Sequence, residues 1–324
     1  MNIDLKAVRI QGALHGMREL RDADHLIVHS EQSLFAIVWA ALLNTPGNAT
    51  VRLDPKGPGK LVATDVAVDN AWVVEPGQRV LLAREGRFDS IDPWGHIQAR
   101  TIKVPGLPVG TFGAAIDSEG LHVLLVVVRN VNPDVSNYAI ALADLKNGRL
   151  AREPSIGSGA DLELLWDAQV GDWVIGDTSK GALWRWDGQR PALKLAGPTA
   201  HVESATFTAT AEGLIVTVIA LKTTGETAFV TGHAEGNRVL WAEPAKLNGS
   251  SVLKAWRHPA RPVWACLAQA GAVQQIQFRD VGGKLLAETP VPRGIHLANL
   301  QWSVSSPNRV WGVGIHAVAA VTLS

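Results

Sequence analysis

Cysteine, tyrosine and surplus charge are all scarce in this chain. Its 324 residues include one cysteine, Cys266, and one tyrosine, Tyr138. A lone thiol closes no intramolecular disulfide, which fits a reducing compartment. Lys and Arg total 30, as do Asp and Glu, so the formal net charge is zero. With no basic block either, the chain lacks the electrostatic footprint of a nucleic-acid binder. The longest apolar run, Leu34 to Leu43, is about half of what a membrane span needs. The opening segment MNIDLKAVRIQG has no basic stretch followed by an apolar one, as a signal peptide would. The expectation is a soluble cytoplasmic protein that binds neither membrane nor nucleic acid.

Familiar catalytic spacings are also missing. None of the 10 histidines falls in a His-Glu-x-x-His pattern, and no Gly-x-Ser-x-Gly elbow occurs. Gly157-Ser158-Gly159 reads as a loop with no helix behind it to cradle a phosphate. Cys266 sits inside the apolar stretch Val263–Leu267 and reads as a buried, inert thiol. No cofactor and no bound metal are expected.

What the chain does have is a repeat. An apolar strand, a short polar turn with glycine, a second apolar strand and a proline recur along its length. The turn glycines are Gly47, Gly95, Gly148, Gly188, Gly236 and Gly283, spaced by 48, 53, 40, 48 and 47 residues. About seven such units fit the chain. Pro55, Pro105, Pro154, Pro198, Pro244 and Pro290 follow the turns at similar distances. Proline cannot donate to a sheet ladder, so the strand between each glycine and its proline is read as the outer one. Thr50–Leu53 and Ala192–Leu195 are examples.

Two further strands precede each turn. Leu162–Trp166, Val202–Phe207, Val252–Trp256 and Leu297–Trp302 are copies of one, with Val62–Val66 and Phe112–Ile116 as weaker copies. The other is marked by Trp72, Val123, Trp173, Leu214, Trp264 and Trp311. The alternation is close to two, with many β-branched and aromatic residues. Only Met17–Leu26 could form a short helical turn. Four-stranded units of this length are the mark of propeller blades. The fold expected is therefore all-β, one domain over residues 1–324, a seven-bladed β-propeller of four-stranded antiparallel blades. The last unit, 296–324, has three strands, and Ile3–Ile10 is an alternating strand without a unit. Pairing the two, with strand 2–10 as the fourth strand, closes the ring and covers an edge.

Ala139–Leu150 and Gln277–Leu285 resemble the outer hairpins of quinoprotein-type and YVTN-type propeller repeats. Trp166-Asp167 and Trp186-Asp187 resemble the tryptophan–aspartate repeat mark, although the Gly-His partner is missing from those units. The resemblance implies the fold. Stand-alone bacterial propellers of this kind are sometimes partners of MoxR-type AAA+ ATPases and von Willebrand A proteins.

The 12 tryptophans divide by position. Trp166, Trp256 and Trp302 recur in the first strand, and Trp72, Trp173, Trp264 and Trp311 in the second. Recurrence at a fixed point points to packing between units. Trp94, Trp184, Trp186 and Trp241 lie nearer turns or outer strands and are the candidates for exposed contacts.

Asp161, His201, Ser251 and His296 share one place, the residue just before a first strand. In a propeller that place borders the mouth of the central channel, so these four are the candidate binding residues. The plainer reading is solvated loop polarity. Asp65, Asp117, Asp167 and Glu203 lie on or near inner strands, where a lactonase-like propeller holds a divalent metal. Turn-forming carboxylates would look the same.

Three functions follow from this. The first is a non-catalytic protein–protein interaction scaffold or adaptor in a bacterial multiprotein system, alongside an AAA+ ATPase and a von Willebrand A protein. The alternatives are a metal-dependent hydrolase or lactonase, and a carbohydrate-binding, lectin-like propeller. The charge balance carries a prediction of its own: gel-shift assays at ~150 mM salt, where exposed charges are screened beyond about 8 Å, give no shifted DNA or RNA. Tight, salt-sensitive retention of a duplex would overturn it.

Overall fold

The computed structural model describes residues 3–9, 17–30, 33–42, 45–54, 57–63, 70–75, 79–84, 87–91, 97–103, 111–132, 135–158, 162–178, 181–195, 201–221, 227–247, 251–302, 307–315 and 317–323. Among them the strands form seven antiparallel sheets. After β1 (Ile3–Arg9), the first sheet holds β2 (Met17–Ser30), β3 (Ser33–Leu42), β4 (Thr45–Asp54) and β5 (Gly57–Ala63). The second holds β6 (Asn70–Glu75), β7 (Arg79–Arg84), β8 (Arg87–Ile91) and β9 (Ile97–Lys103). The third holds β10 (Thr111–Ile116), β11 (His122–Asn132), β12 (Val135–Asp144) and β13 (Arg149–Ser158). The fourth holds β14 (Leu162–Asp167), β15 (Asp172–Asp177), β16 (Leu183–Trp186) and β17 (Leu193–Leu195).

The fifth sheet holds β18 (His201–Thr210), β19 (Gly213–Leu221), β20 (Thr227–Glu235) and β21 (Arg238–Trp241), with the short β22 (Ala245–Lys246) also on β20. The sixth holds β23 (Ser251–Arg257), β24 (Val263–Ala270), β25 (Val273–Asp280) and β26 (Leu285–Pro290). The seventh runs β27 (His296–Trp302), β28 (Arg309–Ile315), β29 (Ala317–Leu323) and then β1. The chain forms two compact units. One comprises Met1–Gly110 with Thr289–Ser324, the other Thr111–Glu288.

In the first of these units, β1 pairs with β29 in unbroken register from Ile3↔Leu323 to Arg9↔Ala317. Ala319, Val321 and Leu323 of β29 are buried. Three details of this unit differ from the sequence reading. Met17–Leu26 is strand, not a helical turn, because pairing with β3 outweighs weak local preference. Thr45-Pro46-Gly47-Asn48 is not the outer turn. It lies inside β4, with Gly47 opposite Ala40. Thr50–Leu53 therefore belongs to a third strand, and the outer strand is β5, which contains Val62. Trp72 then falls in β6, the first strand of its sheet and not the second.

The second unit follows the repeat closely. The third strands of three sheets end at or just before Asp144, Asp187 and Asp280, whose carboxylates accept backbone N–H groups across the turn. Asp144 takes those of Lys146 and Asn147, Asp187 those of Gln189 and Arg190, and Asp280 those of Gly282 and Lys284. The Asn147 side chain, foremost, holds the Asp144 carboxyl below its ordinary range. Gly148, Gly188 and Gly283 complete these turns at positive φ, where a side chain is strained.

The core lies between consecutive sheets. Leu124 and Ile140 of the third sheet meet Leu164, Trp173 and Ile175 of the fourth. Val174, Leu183 and Leu195 meet Phe207, Val216 and Val218 of the fifth. Ile219 and Phe229 meet Trp264 and Cys266 of the sixth. Polar groups tie the same seams. Ala205 N donates to Thr178 O at 2.8 Å, Ser204 Oγ to Leu253 O at 2.7 Å and Trp264 Nε1 to Thr217 Oγ1 at 2.8 Å. The pairing of β1 sets a prediction. Deleting residues 1–11 bares the edge of β29 and lowers the melting temperature by about 5 °C or more, with aggregation. Unchanged melting and solubility would sink the role given to β1.

Candidate functional site

In the second unit, the turn from first to second strand and the turn from third to fourth strand gather at the same end of each sheet. The last residue of the first strand, or the one after it, anchors the nearer turn. Asp117 accepts the N–H of Leu121 at 2.8 Å and meets His122 Nδ1 at 2.7 Å. Asp167 accepts from Gln169 N, and Thr210 from Glu212 N. His258, buried, accepts from Ala260 N at 2.9 Å and Arg261 N at 3.1 Å through Nδ1. Asp117 and Asp167, carboxylates that a metal site would recruit, are thus engaged by their own hairpins. Asp65 lies outside the described residues, and Glu203 is exposed beside His201. Among the described residues, no three His, Cys, Asp or Glu side chains come together as a metal site would require.

At this turn end, a cleft of about 650 Å³ opens between the fourth and fifth sheets. Its floor is built on an ion network. Arg185 Nη2 donates to buried Asp167 Oδ2 at 3.0 Å, and Arg185 Nη1 lies 3.7 Å from Asp172 Oδ2. Burial raises the Asp172 carboxyl above its ordinary value, against the pull of Arg185. Arg185 Nε and the neighbouring Trp186 Nε1 are buried without an acceptor. Val170 and Leu193 are apolar and exposed on the walls, 57% and 43% respectively. Asp187, Glu212 and Glu235 complete the lining with Arg190 and His233, whose Nε2 sits 2.7 Å from Glu212 O.

The four residues expected at the channel mouth are placed as follows. Asp161 lies outside the described residues. His201 and Ser251 begin β18 and β23, both exposed, at the opposite end of their sheets from the cleft. His201 Nε2 is 3.4 Å from Glu203 Oε1. His296 begins β27, exposed, in the other unit. Among the tryptophans expected at the surface, Trp186 is instead 97% buried, because it packs with Leu164 and Trp173 between two sheets. Trp184 and Trp241 are half-buried, and Trp94 lies outside the described residues. Sequence reasoning missed Arg185, Asp172 and Glu212. The one available signal was a charged residue inside the aromatic strand Leu183-Trp184-Arg185-Trp186.

Glu163, on β14, the first strand of its sheet, has its pKa pushed up to about 7 by burial, against the Lys254 charge and the Phe207 N–H. The chain also has known structural likenesses. It superposes on a catalytically inactive virginiamycin B lyase from Staphylococcus aureus, solved with quinupristin, with a TM-score of 0.62, 10% identity and full coverage of both chains. A structural genomics protein of unknown function from Bacteroides thetaiotaomicron aligns with TM-score 0.55 and 9% identity, over 99% of this chain and 76% of that one. Sheet layout and likeness together define a β-propeller-like all-β fold. No protein-family model matches the chain.

Glu163 yields a prediction with a definite sign. Between its ordinary pKa near 4.5 and about 7, the folded state keeps a proton that the unfolded state has released. Stability therefore falls as pH rises through that window. Glu163→Gln removes the penalty and stabilises the protein at pH ~8 by roughly 1–3 kcal/mol relative to its effect at pH ~4.5, given 1.36 kcal/mol per pKa unit. Urea unfolding at both pH values measures this. An equal effect at the two would refute the assignment.

Proposed function

We propose that the protein is a non-catalytic interaction scaffold, in which the seven sheets are the blades of one ring and β1 fastens the last of them. The observation that carries this reading is a row of exposed leucines. Leu193, Leu240, Leu285 and Leu286 are 43%, 42%, 40% and 36% exposed on β17, β21 and β26, the outer strands of three consecutive sheets. Apolar side chains repeated at one place on a surface mark contacts with other proteins better than scattered ones do. An outer strand also offers a free edge for pairing. The proposed channel-mouth residues Asp161, His201, Ser251 and His296 provide a second contact surface. The proposed setting is the bacterial cytoplasm, alongside an AAA+ ATPase and a von Willebrand A protein, and it rests on the likeness of stand-alone propellers.

A second reading, a propeller hydrolase, is favoured by Glu163, which stays protonated up to about pH 7 on an inner strand. Affinity capture from the native host, read by mass spectrometry, separates the possibilities. The triple variant Leu193→Ser, Leu240→Ser and Leu285→Ser is expected to melt near the wild type, since exposed substitutions change stability little. It loses specific partners by at least about tenfold, the equivalent of 1.4 kcal/mol. Replacing Asp161, His201 and His296 with alanine tests the channel-mouth surface in the same way. Undiminished capture by both variants, with turnover of a lactone abolished by Glu163→Gln, would favour the hydrolase.

A further inference from the structure

We infer that β26 is a homodimerisation edge, on which the same strand of a second copy of this chain pairs antiparallel to join the two sixth sheets into one. This goes beyond the scaffold reading, because it names the occupant of one rim strand and needs no other protein.

The edge is open. β26 ends the order β23-β24-β25-β26, and among the described residues no further strand pairs with it. Lys284, Leu285, Leu286 and Glu288 are exposed, so both faces of the strand carry side chains that meet solvent. Asp280 N donates to Lys284 O at 3.1 Å, which turns the main chain of Lys284 towards β25. Successive residues of a strand alternate in that direction. Leu285 and Ala287 therefore aim their N–H and C=O groups outward, where another strand can take them.

The sequence of the edge is its own complement. In a two-fold dimer the same patch meets itself, so each contact between two different residues occurs twice. An antiparallel ladder centred on Leu286 sets Leu286 against Leu286 of the second copy, Leu285 against Ala287, and Lys284 against Glu288. Leu285 and Ala287 then exchange both hydrogen bonds. The leucine pair and the two Lys–Glu pairs fall at the non-hydrogen-bonded places, where Cα atoms lie about 4.5 Å apart and side chains are closest. Opposite charges and apolar pairs so placed stabilise a sheet, and like charges disrupt it. An edge lysine ordinarily deters pairing, but here the two-fold brings its counter-ion. Gln277 Nε2 donates to Glu288 Oε2 at 3.1 Å and buried Arg279 adds positive charge nearby, while the glutamate itself stays exposed.

The neighbouring rim strands do not share this pattern. β17 is Leu193-Lys194-Leu195, and the same two-fold would set two lysines face to face. β21 offers four residues with no acid to oppose Arg238. On β26, Pro290 lacks an N–H and ends the ladder on one side, and the Gly282-Gly283 turn ends it on the other.

The test uses the purified full chain. Sedimentation velocity over about 1–300 μM is expected to show monomer passing into dimer, since an interface this small belongs to the weak, transient class. Leu286→Lys puts like charges face to face and weakens the dimer at least about tenfold while the melting temperature holds. Lys284→Glu and Glu288→Lys each weaken it at least about fivefold alone, and an equimolar mixture of the two returns to within about twofold of the wild type, because both charge pairs are restored. Leu286→Cys closes an intermolecular disulfide under mild oxidation, since the paired Cα atoms lie within bridging range. Leu285→Cys, offset from its own copy by two residues, does not. Cys266 is buried and adds no background. A monomer throughout the range, charge variants whose mixture gains nothing, or equal crosslinking at 285 and 286 would each overturn the inference. So would a chain that stays monomeric while its capture of host proteins depends on Leu286, which makes the edge a site for another protein. A dimer that persists where host capture fails supports the inference and counts against the scaffold reading alone.

Discussion

A ring laid flat on a bare backbone governs how these sheets can sit on one another. A β-carbon on Gly176 would lie 2.1 Å from Phe207 Cε2, so Phe207 of the fifth sheet occupies the space a side chain at residue 176 would need. The absence of a side chain on one sheet makes room for a large one on the next. At the following seam Trp264 packs edge-on to Phe229 at 5.2 Å. With sheets this close, main-chain groups reach across directly, as Ala205 N does to Thr178 O. Interiors packed to this density do not tolerate added volume without strain.

Close seams leave little room for polar side chains, and the protein places most of them at strand ends. Asp117, Asp144, Asp167, Asp187, Thr210, His258 and Asp280 each take backbone N–H groups of a nearby turn. Arg185 is different. It comes from the middle of a short strand, and it draws Asp167 and Asp172 of two other strands into one network. The charges around the cleft follow from that arrangement, since a buried guanidinium needs carboxylates near it.

The parts of this fold that could be read from sequence are those governed by local chemistry. Gly148, Gly188, Gly236 and Gly283 announce their turns because positive φ selects glycine and the residues before them are turn formers. Gly47 misled because an isolated Thr-Pro-Gly-Asn also fits inside a strand when its neighbour, β3, supplies pairing on one side. Trp72 moved from second strand to first as a consequence of that one shift. The recurring Trp173, Trp264 and Trp311 were legible as packing, and all three are buried. Trp186 was not, because its burial depends on Leu164 and Trp173 of other strands. The cleft was illegible for the same reason. Arg185 and Asp167 are 18 residues apart, and only the strand order makes them neighbours.

The register of β1 on β29 has a temporal side. Ile3 leaves the ribosome about 320 residues ahead of its partner Leu323. At about 5–20 residues per second, synthesis holds the two apart for roughly 15–65 s. Sheets made of neighbouring segments can form as the chain emerges. The seventh cannot be completed by its own strand until β29 has been made. Through that interval β1 is an apolar, alternating segment with no partner of its own, and the growing polypeptide is most open then to chaperones, or to pairing with another nascent copy. Contacts of such high sequence separation also slow refolding from denaturant.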